Sequence, residues 1–179
     1  MKLFFPAITL ILILSACTKS NNSGQTVIDV SCQQYIDPLG NLLESVGSCS
    51  SPSDSAGFSQ QELDLFNSLD TADLTGTVLP SASYSFSIFP NPFSSQFNME
   101  FSFNGSISGQ VVVKNVITDS LLNPVYKSII RLGSSTPASD FLYTMMTGIP
   151  AGRYRLFQTL SAGSYNNFSR RWINITKTS

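Results

Sequence analysis

The chain has no histidine among its 179 residues, one tryptophan and three cysteines, and only 12% of it is Asp, Glu, Lys or Arg. Each shortage excludes something. Without histidine, a serine triad lacks its usual base, so the hydroxyl stays a weak nucleophile. No Gly-x-Ser-x-Gly elbow, phosphate loop or dinucleotide fingerprint occurs. No EF-hand-like loop gathers acidic oxygens for calcium. Asp64, Asp70 and Asp73 fall close together, but solvated charge explains such acids without acid–base chemistry. The net charge of -1 gives no reason to expect a nucleic-acid partner. Long apolar runs are missing as well. The N-terminal run, Leu3 to Leu14 with Thr9 its one polar member, is shorter than the ~20 residues a membrane-spanning helix needs. These absences leave no catalytic residues to nominate, and the chain is expected not to be an enzyme.

What is present begins at that same run. Lys2 precedes it, and Leu14-Ser15-Ala16-Cys17 closes it. A charged start, a short apolar core and small residues make a removable signal. Because a cysteine stands at the cleavage point, the segment resembles the lipobox of bacterial lipoproteins. The resemblance implies that residues 1–16 are removed and that Cys17 becomes residue one. Its thiol would carry diacylglycerol and its amine a third acyl chain such as palmitate; more than one chain is what stable anchoring requires. It places the protein in the cell envelope, at the outer membrane or cell surface. The blander alternative is an ordinary secretory signal with Cys17 incidental.

Outside the cytoplasm the two remaining cysteines, Cys32 and Cys49, are expected to bond to each other. Closing that loop contributes about 3 kcal/mol in the chain-entropy model. Two cysteines cannot complete a tetrahedral zinc shell, so no metal site is expected, and no cofactor beyond the lipid on Cys17. Charge is unevenly spread. Residues 18–100 hold nine acids and one base, whereas residues 101–179 hold eight bases and two acids. The halves would either dock on each other or simply present solvated faces of opposite bias.

Residues 17–26 form the lipidated end and a polar tether. Residues 27–82 read as a linker region that contains the Cys32–Cys49 loop. Within it, Val27 to Val30 is a strand candidate and Asp37-Pro38-Leu39-Gly40 a turn. Leu42, Leu43 and Val46 suit a helical turn or a short strand. Ser59 and Glu62 have capping-box spacing, and Leu63, Phe66 and Leu69 follow at helical period, so a helix is predicted over 60–69. It is either an amphipathic docking element or a short helix packed on its own domain.

From residue 83 the period changes to two. Phe86 and Ile88, then Phe97, Met99, Phe101 and Phe103, alternate with polar residues. Asn104-Gly105 signals a hairpin turn. Further strands are predicted around Val111–Ile117, Val125–Leu132, Phe141–Met145, Tyr154–Leu160 and Phe168–Ile175, with a loop at 133–137. About seven antiparallel strands at short spacing imply an all-β, Ig-like sandwich over residues 83–179.

The stretch Phe86 to Phe93, a strand running into Pro90-Asn91-Pro92, resembles the opening of type IX secretion system C-terminal sorting domains, type A. Gly152-Arg153-Tyr154 resembles their closing Gly-x-Tyr strand. The resemblance covers about 95 residues and implies a Bacteroidota source. It implies that Pro90, Asn91, Pro92, Gly152 and Tyr154 belong to a secretion address. On physical grounds alone the two prolines make a corner, because they remove donors and force the chain off its ladder. Asp54-Ser55-Ala56, Asp70-Thr71-Ala72 and Asp119-Ser120-Leu121 resemble the O-glycosylation acceptors of the same group, which nominates Ser55, Thr71 and Ser120. Tyr154, Tyr165, Phe168 and Trp172 with Arg153, Arg170 and Arg171 would line a cationic aromatic face for an acidic or glycan partner, or else pack as core. The expected role is a non-catalytic lipoprotein presenting an interaction module at a membrane. Its partners would be a surface protein, a glycan or the secretion machinery, and the alternative role is a sorting address.

Overall fold

Period-two alternation organises the strands, and the computed structural model describes them within residues 27–49, 58–69, 84–162 and 165–179. Cys17, Ser55 and Thr71 lie outside those residues. Strands β1 (Gln33–Ile36) and β2 (Leu42–Val46) pair as an antiparallel hairpin. Then come a short helix, α1 (Gln60–Asp64), and strands β3 (Tyr84–Phe89), β4 (Gln96–Thr118), β5 (Pro124–Met146), β6 (Gly152–Ala162) and β7 (Tyr165–Lys177).

β4 and β5 are 23 residues each and serve two layers. Their outer parts, Gln96–Ser102 against Asp140–Met146, join β3 in one layer. Their inner parts, Val111–Thr118 against Pro124–Leu132, join β6 and β7 in the other. Register shifts between Ser102 and Gly109 mark where the ribbon passes from one layer to the next; bulges bend a strand in just this way. Phe97, Met99 and Phe101 from the first layer and Val113, Leu156 and Ile175 from the second share one buried cluster. The fold is thus an all-β antiparallel sandwich, as the alternation implied.

The strand count differs from expectation. Seven predicted segments from residue 83 onward are five strands, because four of them fuse in pairs. Asn104-Gly105 is no hairpin turn, and residues 133–137 are strand rather than loop. The β4–β5 pairing breaks register across both and resumes on either side, at Ser102–Asp140 and at Gly109–Ser134, so the strands run on through the local turn signals. Helix α1 also stops early. Ser59 caps it reciprocally with Glu62, but α-geometry ends at Asp64 and Phe66–Leu69 continues as turns. Val27–Val30 is not a strand; Ile28 donates its N–H to the Ser120 carbonyl at 2.9 Å instead. The disulfide joins Cys32 and Cys49 with Cα atoms 5.0 Å apart and closes the base of the β1–β2 hairpin.

A second cluster lies on the far side of the β6 layer. Ile28, Phe58, Leu65 and Phe66 cover Val116 and Phe157 there. Phe58 meets Phe157 edge-on at 5.5 Å between ring centroids. This is why β6 loses its alternation: both its faces are buried, from Tyr154 to Ala162 wherever its side chains are described. Of the two readings of the helical segment, the packed one describes it. Lys127 fixes its far end, donating to the Leu65 carbonyl and, at 2.9 Å, to the Ser68 hydroxyl.

Candidate functional site

Strand alternation decides which side chains meet. On β6 and β7, Tyr154, Leu156, Ile173 and Ile175 point between the layers, whereas Arg155, Phe157, Trp172 and Asn174 point outward. The outward set meets the disulfide hairpin. Between them lies a shallow cleft of about 70 Å³, lined by Asp29, Gln34, Ser48, the Cys32–Cys49 bridge, Arg155, Trp172 and Asn174.

Arg155 organises this cleft. Its guanidinium carbon lies 3.8 Å from the Trp172 ring centroid. Its Nε donates to Asn174 Oδ1 at 3.0 Å and its Nη2 to the Asp29 carbonyl. Asn174 Nδ2 in turn donates to the Asp29 and Cys32 carbonyls at 3.3 and 3.4 Å. Burial lowers the Arg155 pKa from its ordinary value, opposed by the nearby carboxylates of Glu62 and Asp29. The Asp29 carboxyl titrates low because Ser31 hydrogen-bonds it, with a smaller contribution from Arg155. The chemistry of the cleft is that of a fastening: it ties the N-terminal segment to the outer face of β6 and β7.

The expected aromatic, cationic face is divided by the same alternation. Tyr154 is buried inside the sandwich, Trp172 lies outside it, and Arg171 is buried on the inner side while Arg170 and Arg153 face outward. The side chains of Tyr165 and Phe168 lie outside the described part. Arg155, which completes the outward set, was readable from period two, since it flanks an inward Tyr154 as Arg153 does.

The Pro-Asn-Pro stretch is the corner its prolines implied. β3 pairs with β4 up to Phe89, and the chain then crosses to the other layer. Asn91 is buried there. It exchanges backbone hydrogen bonds with Ile36 at 2.7 and 3.0 Å, and its Oδ1 accepts from Thr176 N–H at 2.9 Å. Phe93 then pairs in parallel with Lys177, so the corner closes the sandwich edge against β7 and the hairpin together. Gly152 and Tyr154 form a second local device. The Tyr154 hydroxyl donates to the Pro150 carbonyl at 2.9 Å, a tyrosine corner. The ring folds back so far that a Cβ on residue 152 would lie 3.1–3.2 Å from it.

Ser120 sits in a turn whose carbonyl holds Ile28. Asp119 before it accepts from Leu121 and Asn123 N–H at 2.8 and 2.9 Å, and from Asn123 Nδ2 at 2.9 Å. Asp37 makes the same three contacts with Leu39 and Asn41, so the two loops are one design used twice. The left-handed position falls on Gly40 in one and on Leu122, φ 61°, in the other. Among the described residues, no three His, Cys, Asp or Glu side chains come together as a metal site would require.

No family model and no curated protein matches the chain. Among solved structures it is similar to T. fusca AA10A at 15% identity and a TM-score of 0.38, covering 57% of this chain and 55% of that one. It is also similar to a Niemann-Pick type C2 protein from the Japanese carpenter ant at 12% identity and a TM-score of 0.34, over 58% of this chain and 99% of that one. A CARDB domain from Pyrococcus furiosus, solved with di-metal ions, gives 13% identity and 0.32, over 57% and 95%. The chain thus spans about half the length of the first. At these scores none of the three bears on what the chain does.

Proposed function

We propose that this protein is a non-catalytic envelope lipoprotein, anchored through lipid on Cys17, whose β-sandwich is a permanent interaction module. The observation that carries the reading is the shared outer cluster. Ile28, just past the tether, joins Phe58, Leu65 and Phe66 over Phe157 and Val116, so the chain leaving the tether is packed onto the outer face of the sandwich. A module held by its N-terminus gains from this arrangement, because anchor and folded body are joined through packed residues. A detachable address does not, since its removal would uncover an apolar face on both products. The partner is a surface protein or a glycan at the membrane, and no nucleic acid is involved.

The motif resemblance supports a second reading, in which residues 83–179 are a type IX secretion address. Membrane fractionation and a reporter fusion separate the two. The anchored module requires that Cys17→Ala moves the protein out of the membrane fraction and that residues 83–179 alone do not route a reporter to the surface. Surface delivery of the reporter by residues 83–179 would replace the first reading with the second.

A further inference from the structure

The β1–β2 hairpin carries the largest apolar exposure near the tether. Leu39, Leu42, Leu43 and Val46 are 47–84% exposed, and Val27 at the tether's end is 69% exposed. Leu42 and Leu43 are neighbours in β2, and the register shift between Tyr35 and Ile36 leaves Leu43 without a paired residue. Alternation lapses at such a bulge, and both leucines stand exposed on a hairpin whose other side is held against the sandwich by the Ile36–Asn91 bonds and by Gly40 beside the Phe89 ring. An exposed apolar patch marks a contact with a partner or with a membrane, and the short tether decides here for the membrane.

We propose that this hairpin tip dips into the membrane surface to which Cys17 is anchored, the proposal resting on that anchor. Nine residues, 18–26, separate Cys17 from Val27. Even fully extended they reach only about 30 Å, so the hairpin is held close to the lipid headgroups. Charge selects the kind of surface. Residues 27–49 contain Asp29, Asp37 and Glu44 and no base. Attraction to anionic lipid therefore contributes nothing, and the contact is apolar, suited to a zwitterionic bilayer. The turn itself is pre-formed. The Asp37 carboxylate accepts from Leu39 and Asn41 N–H at 2.8 Å each, which holds Leu39 outward at the apex. Rigid presentation lowers the ordering cost of insertion. The tip would fix the orientation of the sandwich on the membrane.

The test uses the lipidated mature protein in phosphatidylcholine vesicles whose acyl chains carry a bromine quencher. Tryptophan is placed at the tip by Leu39→Trp or, as a control, at the exposed Arg131, which pairs with Val112 toward the opposite end of β5, by Arg131→Trp. Both sites are exposed, so neither change disturbs a packed core. The Trp172 signal of the unsubstituted protein is subtracted. The expected result is flotation of both variants with the vesicles, with a blue shift and quenching for Leu39→Trp alone. Flotation with an unquenched, water-like Leu39→Trp signal, or equal quenching at both sites, would overturn the proposal while leaving the anchor intact. A blue-shifted but unquenched signal on a protein that sediments as a dimer would give the patch to a second copy and overturn it too. Failure of the protein to float at all would remove the anchor reading and this one with it.

Discussion

Glycine at 152 is dictated by its neighbour two residues on. Tyr154 is buried and tied through its hydroxyl to Pro150, so its ring cannot yield to a methyl group 3.1 Å away. Gly152→Ala is therefore expected to destabilise by about 1–3 kcal/mol, read from denaturant midpoints. In a Tyr154→Leu background the same change should cost much less. Leu122 shows the opposite solution to a left-handed position: a leucine held there by burial in the outer cluster, where the twin loop uses Gly40. The two loops also make a pH prediction. Burial raises the Asp119 pKa, but the Asn123 and Leu121 hydrogen bonds outweigh it, and the carboxyl titrates below its ordinary value. Asp37 is lowered by the matching bonds, led by the Asn41 side chain. A depressed folded pKa adds stability above the unfolded value of about 3.9. That stability is lost as pH falls through the folded pKa. Thermal midpoints measured from pH 6 downward should thus fall at and below about pH 4, and fall less steeply in Asp119→Asn.

Elements were legible where one face is solvated and the other buried. Phe97, Met99, Phe101 and Phe103 announced the first part of β4 by strict alternation, and all four are core. The continuity of β4 and β5 was not legible. Asn104-Gly105 carries a genuine local turn preference, but the chain passes through it as an irregularity in register, because the flanking residues on both sides pair with the same distant strand. β6 was found but its double burial was not, since Leu156-Phe157-Gln158-Thr159-Leu160 hides two polar residues inside. Gln158 is paired there with Asn115 at 3.0 Å, an interaction no pattern along one strand reveals. The helical segment was readable through Ser59, Glu62 and Phe66, but the surface it covers was not. Phe66 is fully buried on that surface. Phe66→Ala is expected to cost about 3–5 kcal/mol in equilibrium unfolding. The loss should be global, with hydrogen exchange quickening in β6 as well as near residue 66. Exchange confined to residues 58–69 would make the segment an appendage.

On the scale of the whole molecule, the charge asymmetry and the architecture agree. The acid-rich first part lies on the base-rich second, and Glu62 and Asp29 raise the Arg155 pKa against its burial, whereas Lys127 meets that part through the Leu65 carbonyl and the Ser68 hydroxyl. Composition left two readings of that asymmetry, docking or solvated bias, and the fold brings Glu62 and Asp29 near Arg155. The cleft around Arg155 was hidden for the same reason, since it joins residues 29–49 to residues 155–174. One structural body, one N-terminal anchor and no removable half is the central claim. The intact mass of the native protein, extracted from the membranes of its own cells, tests it most directly. The account expects a single species equal to Cys17–Ser179 with its acyl chains attached. A species lacking lipid, or one found at the surface without the residues from about 83 onward, would contradict it.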